Sequence, residues 1–262
     1  MPRCFTTAPP GSAGMWNSPW WTPGSHKNTL GRWAAREGKK RSMYAETRLS
    51  DARTLWRSLG GAGGVIPADG SVDLILRGGD LFLAGPSTRA ITTLPDADGV
   101  SIGLRFAPGQ AAATLGIDLA ELRDTGAPLG DVLDPARTRE LATRVRAQAR
   151  NPGHDLLGGQ PEDPWARETH RAARRAESAS ALARRLGWSE RQLRRRMLAR
   201  FGYGYAALIR IERAKRAHAL IRSGTALAEA AARAGYSDQP HLTREFRRVV
   251  GHTPGEVSAA GD

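Results

Sequence analysis

The sequence predicts an α+β amino-terminal domain, a small antiparallel sheet plus helices, followed by an all-α domain. Three observations carry that expectation. Between about residues 60 and 108, short apolar runs alternate with turn residues; after Pro164, apolar residues recur at three- and four-residue spacing; and formal charge separates between the two halves.

The 262 residues carry a net charge of +13, divided as +7 over residues 1–60, −3 over 61–160 and +9 over 161–262. A basic balance of this size predicts attraction to polyanions, and its position places a nucleic-acid contact surface in the last hundred residues. Length alone suggests about two domains. The single cysteine, Cys4, excludes a disulfide pair and a cysteine-based metal or redox cluster. No apolar run approaches the roughly 20 residues of a bilayer span, and no secretory signal is present, so a cytoplasmic, nucleoid-associated protein without membrane contact is expected.

Residues 1–42 hold five prolines, scattered Gly and Ser and the run Lys39-Lys40-Arg41, and read as a disordered extension. Ordered-looking sequence begins just after Met43, which raises the expectation that Met43 is the translated start; intact mass from the native host tests it. Residues 43–150 read as the α+β domain. Val72–Leu76, Leu81–Ala84, Ala90–Leu94 and Val100–Phe106 are predicted strands of a meander, separated by Asp69-Gly70, Gly78-Gly79, Gly85-Pro86 and Asp98-Gly99. Ala111–Leu115, Leu119–Leu122 and Pro135–Ala149 read as helical. Asp69-Gly70 reads as a turn and Asp73 as a strand-edge residue rather than a catalytic carboxylate pair. The breakers of 151–164 mark a linker, within which His154-Asp155 has no nucleophile in a recognisable context.

Residues 165–257 form the second domain, with 258–262 a tail. Ser178 is placed to cap a helix whose Ala179, Leu182, Ala183 and Leu186 fall on one face. Gly187 ends it, Trp188 turns inward, and Ser189 caps a helix reaching Phe201. In that helix Leu193, Met197 and Phe201 face in, while Arg191, Arg194 and Arg195 share another face. After a helix from about Tyr205 to Arg222 the grammar recurs. Thr225 is the expected cap of a helix with Leu227, Ala230, Ala231 and Ala234 inward. Gly235-Tyr236-Ser237 is the turn, and Asp238 or Ser237 caps a last helix with Leu242, Phe246 and Val249 inward. Two such helix-turn-helix units on a rigid connecting helix can set two reading helices, about 189–201 and 238–250, in successive major-groove segments. Trp188, Tyr236 and Phe246 read as core rather than as stacking platforms.

The run Gly235-Tyr236-Ser237-Asp238-Gln239-Pro240-His241-Leu242-Thr243-Arg244-Glu245-Phe246, continuing through Pro254, closely resembles the signature of the AraC/XylS family of bacterial transcription regulators. Ser180-Ala181-Leu182-Ala183 with Ser189 to Arg196 resembles that family's first unit. The family usually has a proline after the glycine closing this unit, which Gly202-Tyr203-Gly204-Tyr205 lacks. The resemblance implies a sequence-specific, non-enzymatic DNA-binding regulator without cofactor or metal. It implies base reading by Arg191, Arg194, Arg195, Gln239, His241 and Arg244. Arg suits guanine and Gln suits adenine. Ser189, Ser237, Thr243 and Arg247 are expected on the DNA backbone. RNA polymerase, a small-molecule effector and a second copy of the chain are further partners that it suggests. Pro67-Ala68-Asp69-Gly70, Ala84-Gly85-Pro86-Ser87-Thr88 and Gly103 to Gly109 resemble the uncharacterised domain preceding this unit in many actinobacterial regulators, which implies a sensory or dimerising role.

Two rival functions are weighed against this one. A DNA-repair enzyme borrowing the unit needs reactive cysteines, which Cys4 alone does not supply. A purely charge-driven architectural protein predicts equal affinity for all duplexes and a steep salt slope.

Overall fold

In the computed structural model of the chain, the structure describes residues 43–50, 52–61, 63–93, 96–151 and 163–259. The expectations for 1–42, for Cys4 and for His154-Asp155 lie outside these residues.

The amino-terminal half is an antiparallel sheet built from β1 (Met43–Arg48), β2 (Arg53–Gly61), β4 (Val72–Arg77), β5 (Asp80–Ala84), β7 (Asp96–Phe106) and β8 (Gly126–Pro128), ordered β1-β2-β7-β4-β5-β8. β3 (Gly64–Ile66) and β6 (Ile91–Thr93) form a separate two-stranded ribbon. The predicted meander is thus corrected in two ways. The run beginning at Ala90 leaves the main sheet for the ribbon, and β7 inserts between β2 and β4, a crossover that local turn signals cannot encode. β1 and β2 are additional to the expectation. β2 mixes Arg, Ser and Thr with Leu55, Trp56 and Leu59, so its identity as a strand rests on pairing along β7 rather than on an apolar run.

Alternation along the strands divides the sheet into two faces. Leu74, Leu83, Leu104 and Phe106, all fully buried, meet α1 (Ala111–Leu115) and α2 (Pro135–Arg150) through Leu115, Leu141 and Val145. Asp134 caps α2 by accepting from the Ala136 and Arg137 amides, with Pro135 in the first turn. Residues Leu119–Leu122, expected as helix, form turns, because Leu119 buries as a single anchor rather than as part of a periodic face. On the opposite face Asp73 sits mid-sheet on β4, so it is not a strand-edge residue. Arg105 on β7 bridges it at 3.2 Å, Asp69 at 3.6 Å and Glu46 at 3.3 Å, and the Trp56 indole donates to Asp73 at 2.6 Å. Trp56 lies across Gly103, where any side chain would collide with its ring. Burial raises the Asp73 carboxyl above its usual range even with Arg105 beside it.

The carboxy-terminal half is all helical: α3 (Pro164–Arg174), α4 (Ala179–Arg185), α5 (Glu190–Phe201), α6 (Tyr205–Arg222), α7 (Leu227–Ala234), α8 (Gln239–Val250) and α9 (Pro254–Ala259). Two cores flank α6. Leu182, Leu193, Met197, Phe201 and Leu208 fill the first, and Ala217, Ile221, Ala231, Leu242, Phe246 and Val249 the second. Ser178, as expected, caps α4 by accepting from the Ala181 amide at 3.2 Å. Thr225 does not cap α7. The cap position falls on Ala226, which has no side-chain acceptor, and Glu229 in the first turn supplies the favourable negative charge instead. Without the proline usual in the resembling family, α6 starts at Tyr205 with Gly204 as its cap residue.

Candidate nucleic-acid interface

The turns α4–α5 and α7–α8 are built alike. Gly187 and Gly235 take left-handed φ values of 69° and 88°. The following aromatic then donates its amide back to the preceding helix: Trp188 to the Ala183 carbonyl at 2.8 Å, Tyr236 to the Ala231 carbonyl at 2.9 Å. A guanidinium covers each aromatic ring, Arg196 over Trp188 at 4.3 Å and Arg213 over Tyr236 at 5.3 Å. Tyr236 and Phe246 are core residues, whereas Trp188 is half-buried.

The second helix of each unit starts on a polar cap. Ser189 and Gln192 form a reciprocal capping box at α5, with the Ser189 hydroxyl accepting from the Gln192 amide at 3.2 Å and the Ser189 amide donating to Gln192 Oε1 at 2.7 Å. At α8 the Asp238 carboxylate accepts from the His241 amide at 2.6 Å, and that bond holds its pKa below the usual carboxylate range.

Beyond these caps, Arg191, Arg194 and Arg195 are exposed on α5, and their side chains make no hydrogen bond or ion pair with other described residues. Gln239 and Arg244 are exposed on α8. His241 is half-buried, its ring edge-on to Tyr236 at 5.3 Å, and Nδ1 lies 3.0 Å from the Ser237 hydroxyl and accepts from the Ser237 amide. That assignment leaves Nε2 as the ring's donor. Ser189 and Arg247 are exposed, whereas the Ser237 hydroxyl is engaged within its turn, donating to Asp238 at 3.2 Å. Thr243 donates to the Gln239 carbonyl at 2.9 Å, so its hydroxyl hydrogen must rotate away to meet a phosphate.

Sequence reasoning missed the residues that set one unit against the other. Arg216 on α6 donates to the Arg174 carbonyl ending α3 at 2.6 Å and to the Ala234 carbonyl ending α7 at 3.2 Å, joining both units through their helix C-termini. Glu212, on the same helix and nearly buried, meets His170 Nε2 at 3.0 Å and Lys215 Nζ at 2.9 Å. Burial works to raise its pKa, but Lys215 and His170 outweigh that and hold it at about 2. The one available signal was a run of charges, Arg210 to Arg216, on a helix that also had to be core. Arg210 and Arg213, with Ala206, Ile209, His241 and Glu245, line a groove of about 370 Å³ between α6 and α8, where Arg210 pairs with Glu245 at 2.5 Å.

Residues 182–260 match the profile of a helix-turn-helix domain family, and residues 59–128 match a domain of unknown function (DUF6597). Residues 182–260 thus hold an AraC-type helix-turn-helix domain. Such a domain is a DNA-binding module of transcription regulators, and here an antiparallel-sheet domain precedes it. No curated protein matches the chain. Among solved structures, ToxT from Vibrio cholerae O395 is similar at 9% identity and a TM-score of 0.37, over 85% of this chain and 98% of that one. The P21 crystal form of ToxT from Vibrio cholerae gives 11% and 0.38, over 84% and 98%. Unsaturated fatty acid-bound ToxT from strain SCE256 gives 10% and 0.37, over 83% and 91%. Likeness at this level carries no inference about ligand or partner. No described helix is long and apolar enough to cross a membrane.

Proposed function

We propose that this protein is a sequence-specific transcription regulator whose α5 and α8 read successive major-groove segments of one duplex. Arg191, Arg194 and Arg195 on α5, with Gln239, His241 and Arg244 on α8, contact base edges, and Ser189, Ser237, Thr243 and Arg247 hold the backbone. The observation that supports this reading best is the α5 surface. Three guanidiniums share one exposed face with no counterion among the described residues, an arrangement that a polyanion relieves, and Arg is shaped for bidentate contact with guanine. The sheet domain is then the part through which an effector or a second copy acts.

The test is selection of duplexes from a random library by the full chain at near-physiological salt, followed by affinity for the winner and a scrambled control. A regulator prefers its operator by about 10³ or more. Arg191→Ala and Arg244→Ala each cost about 1 to 3 kcal/mol and relax preference at particular bases. Equal affinity for every duplex, or uniform weakening in both variants, overturns the assignment.

A further inference from the structure

The connections β3–β4, β5–β6, β7–α1 and α1–β8 all leave the same end of the sheet, because Val72 pairs with Phe106, Asp73 with Ala84, and Ala84 with Gly126. Three of them are fastened to one another. The Gly70 amide donates to the Ser87 carbonyl at 3.0 Å, Gly85 to Thr125 at 2.9 Å, and the Thr88 amide and hydroxyl both donate to Asp124.

This end of the sheet grips the AraC-type domain at three places. At the C-terminal end of α5, Gly109 lies so close to the Phe201 ring that a Cβ there would sit 2.6 Å from it. Gly202 is equally tight against the Leu119 carbonyl. The Asp163 amide donates to the buried Gln110 side chain at 3.0 Å, and Asp163 in turn pairs with Arg200 of α5 at 3.2 Å. At the C-terminal end of α8, the Ala68 amide donates to the Val249 carbonyl at 2.8 Å and the Ala90 amide to the Arg248 carbonyl at 2.9 Å. Those carbonyls have no partner inside a helix, so the sheet domain supplies backbone caps to the second reading helix. Gly251, at φ 83°, closes against Val65 of the ribbon and Ala90. Between the two grips, the buried Tyr203 hydroxyl donates to the Gly70 carbonyl at 3.1 Å and Lys215 of α6 to the Asp69 carbonyl at 3.4 Å.

We propose that the sheet domain acts as a gauge, fixing the separation and rotation of the two reading helices and thereby the half-site spacing that the protein accepts. This rests on the two-helix reading proposed above. One body of fastened loops holds both helices by their far ends, and packed interfaces move between discrete arrangements rather than flexing smoothly. An inserted base pair moves one half-site by about 3.4 Å and turns it by about 35°. A gripped pair of helices cannot follow that displacement, whereas a released pair follows it in part.

The experiment takes the duplex selected by the full wild-type chain and varies the gap between its two blocks by one base pair in each direction. It compares wild type with Val65→Asp, which places a charge against Gly251, and with Tyr203→Phe, which deletes only one hydrogen bond. Hydrogen exchange at the Ala68 and Ala90 amides reports release of the grip. The expected result is faster exchange at these two amides in Val65→Asp and a spacing penalty falling from about tenfold towards threefold, with Tyr203→Phe between. Should Val65→Asp fail to fold, Tyr203→Phe alone carries the comparison. Faster exchange with an unchanged spacing penalty overturns the gauge. So does an equal gain in affinity at every spacing, which marks the grip as a brake instead. Absence of any selected sequence in wild type refutes the two-helix reading itself and is seen before either variant is made.

Discussion

Glu212 offers the sharpest test of the structure, since one nearly buried carboxylate ties α3 to α6 and reaches towards the sheet domain through Lys215. Its pKa in the fold is about 2 against an ordinary 4.5, the pull of Lys215 and His170 exceeding the opposing effect of burial. A carboxylate with a depressed pKa contributes stability that is full above the unfolded value and disappears as pH falls through the folded one. The shift corresponds to about 3 kcal/mol, lost between roughly pH 5 and pH 2. Glu212→Gln keeps the shape and removes the charge. The variant is expected to unfold at lower urea concentration than wild type at pH 7 by about 2 to 3 kcal/mol, with the difference shrinking to under about 1 kcal/mol near pH 2.5, where the unfolded carboxyl is already protonated and the folded one approaches its own pKa. Urea titrations of both proteins at pH 7, 4 and 2.5 measure this. A difference that stays constant across the three pH values would refute the assignment of the low pKa to the Lys215 and His170 contacts.

Three further outcomes follow from the same reasoning. Arg105→Met strips Asp73, Asp69 and Glu46 of their shared cation in the sheet and should cost about 3 to 5 kcal/mol, read as a lower urea midpoint; a loss below about 1 kcal/mol would show that the bridges contribute little. His218, buried against Phe246, has its pKa lowered to about 4 by burial and, to a smaller extent, by Arg222. Because the unfolded imidazole takes up its proton first, stability falls by about 3 kcal/mol between pH 6.5 and 4, and His218→Phe should flatten that slope in thermal melts across this range. Ser178→Ala removes the cap of α4 and should lower stability by about 1 kcal/mol, with Ser178→Asn restoring it; equal loss in both variants would exclude capping as the cause.

Local chemistry was legible in the sequence wherever it is decided within a few residues. Gly187 and Gly235, Ser178, Ser189 and Asp238, and the inward positions Leu193, Met197, Phe201, Leu242 and Phe246 all follow from periodicity and capping, and the structure places them accordingly. The strand identities of β4 and β5 were readable for the same reason. Thr225 shows the limit even of local rules, because a residue able to cap does so only if the helix begins just after it, and α7 begins one residue later.

Tertiary structure alone decided the rest. The position of β7 between β2 and β4 is a long-range pairing, and Asp73 became a central, half-buried residue only through it. Arg216 reads as one more arginine on a basic helix until the ends of α3 and α7 arrive beside it. The docking of the sheet domain against α5, α6 and α8 rests on backbone groups of Ala68, Gly70 and Ala90 and on the absence of side chains at Gly109, Gly202 and Gly251. Sequence patterns record which side chains prefer water, and they are silent about backbone hydrogen bonds and about the space a missing Cβ leaves for a neighbour.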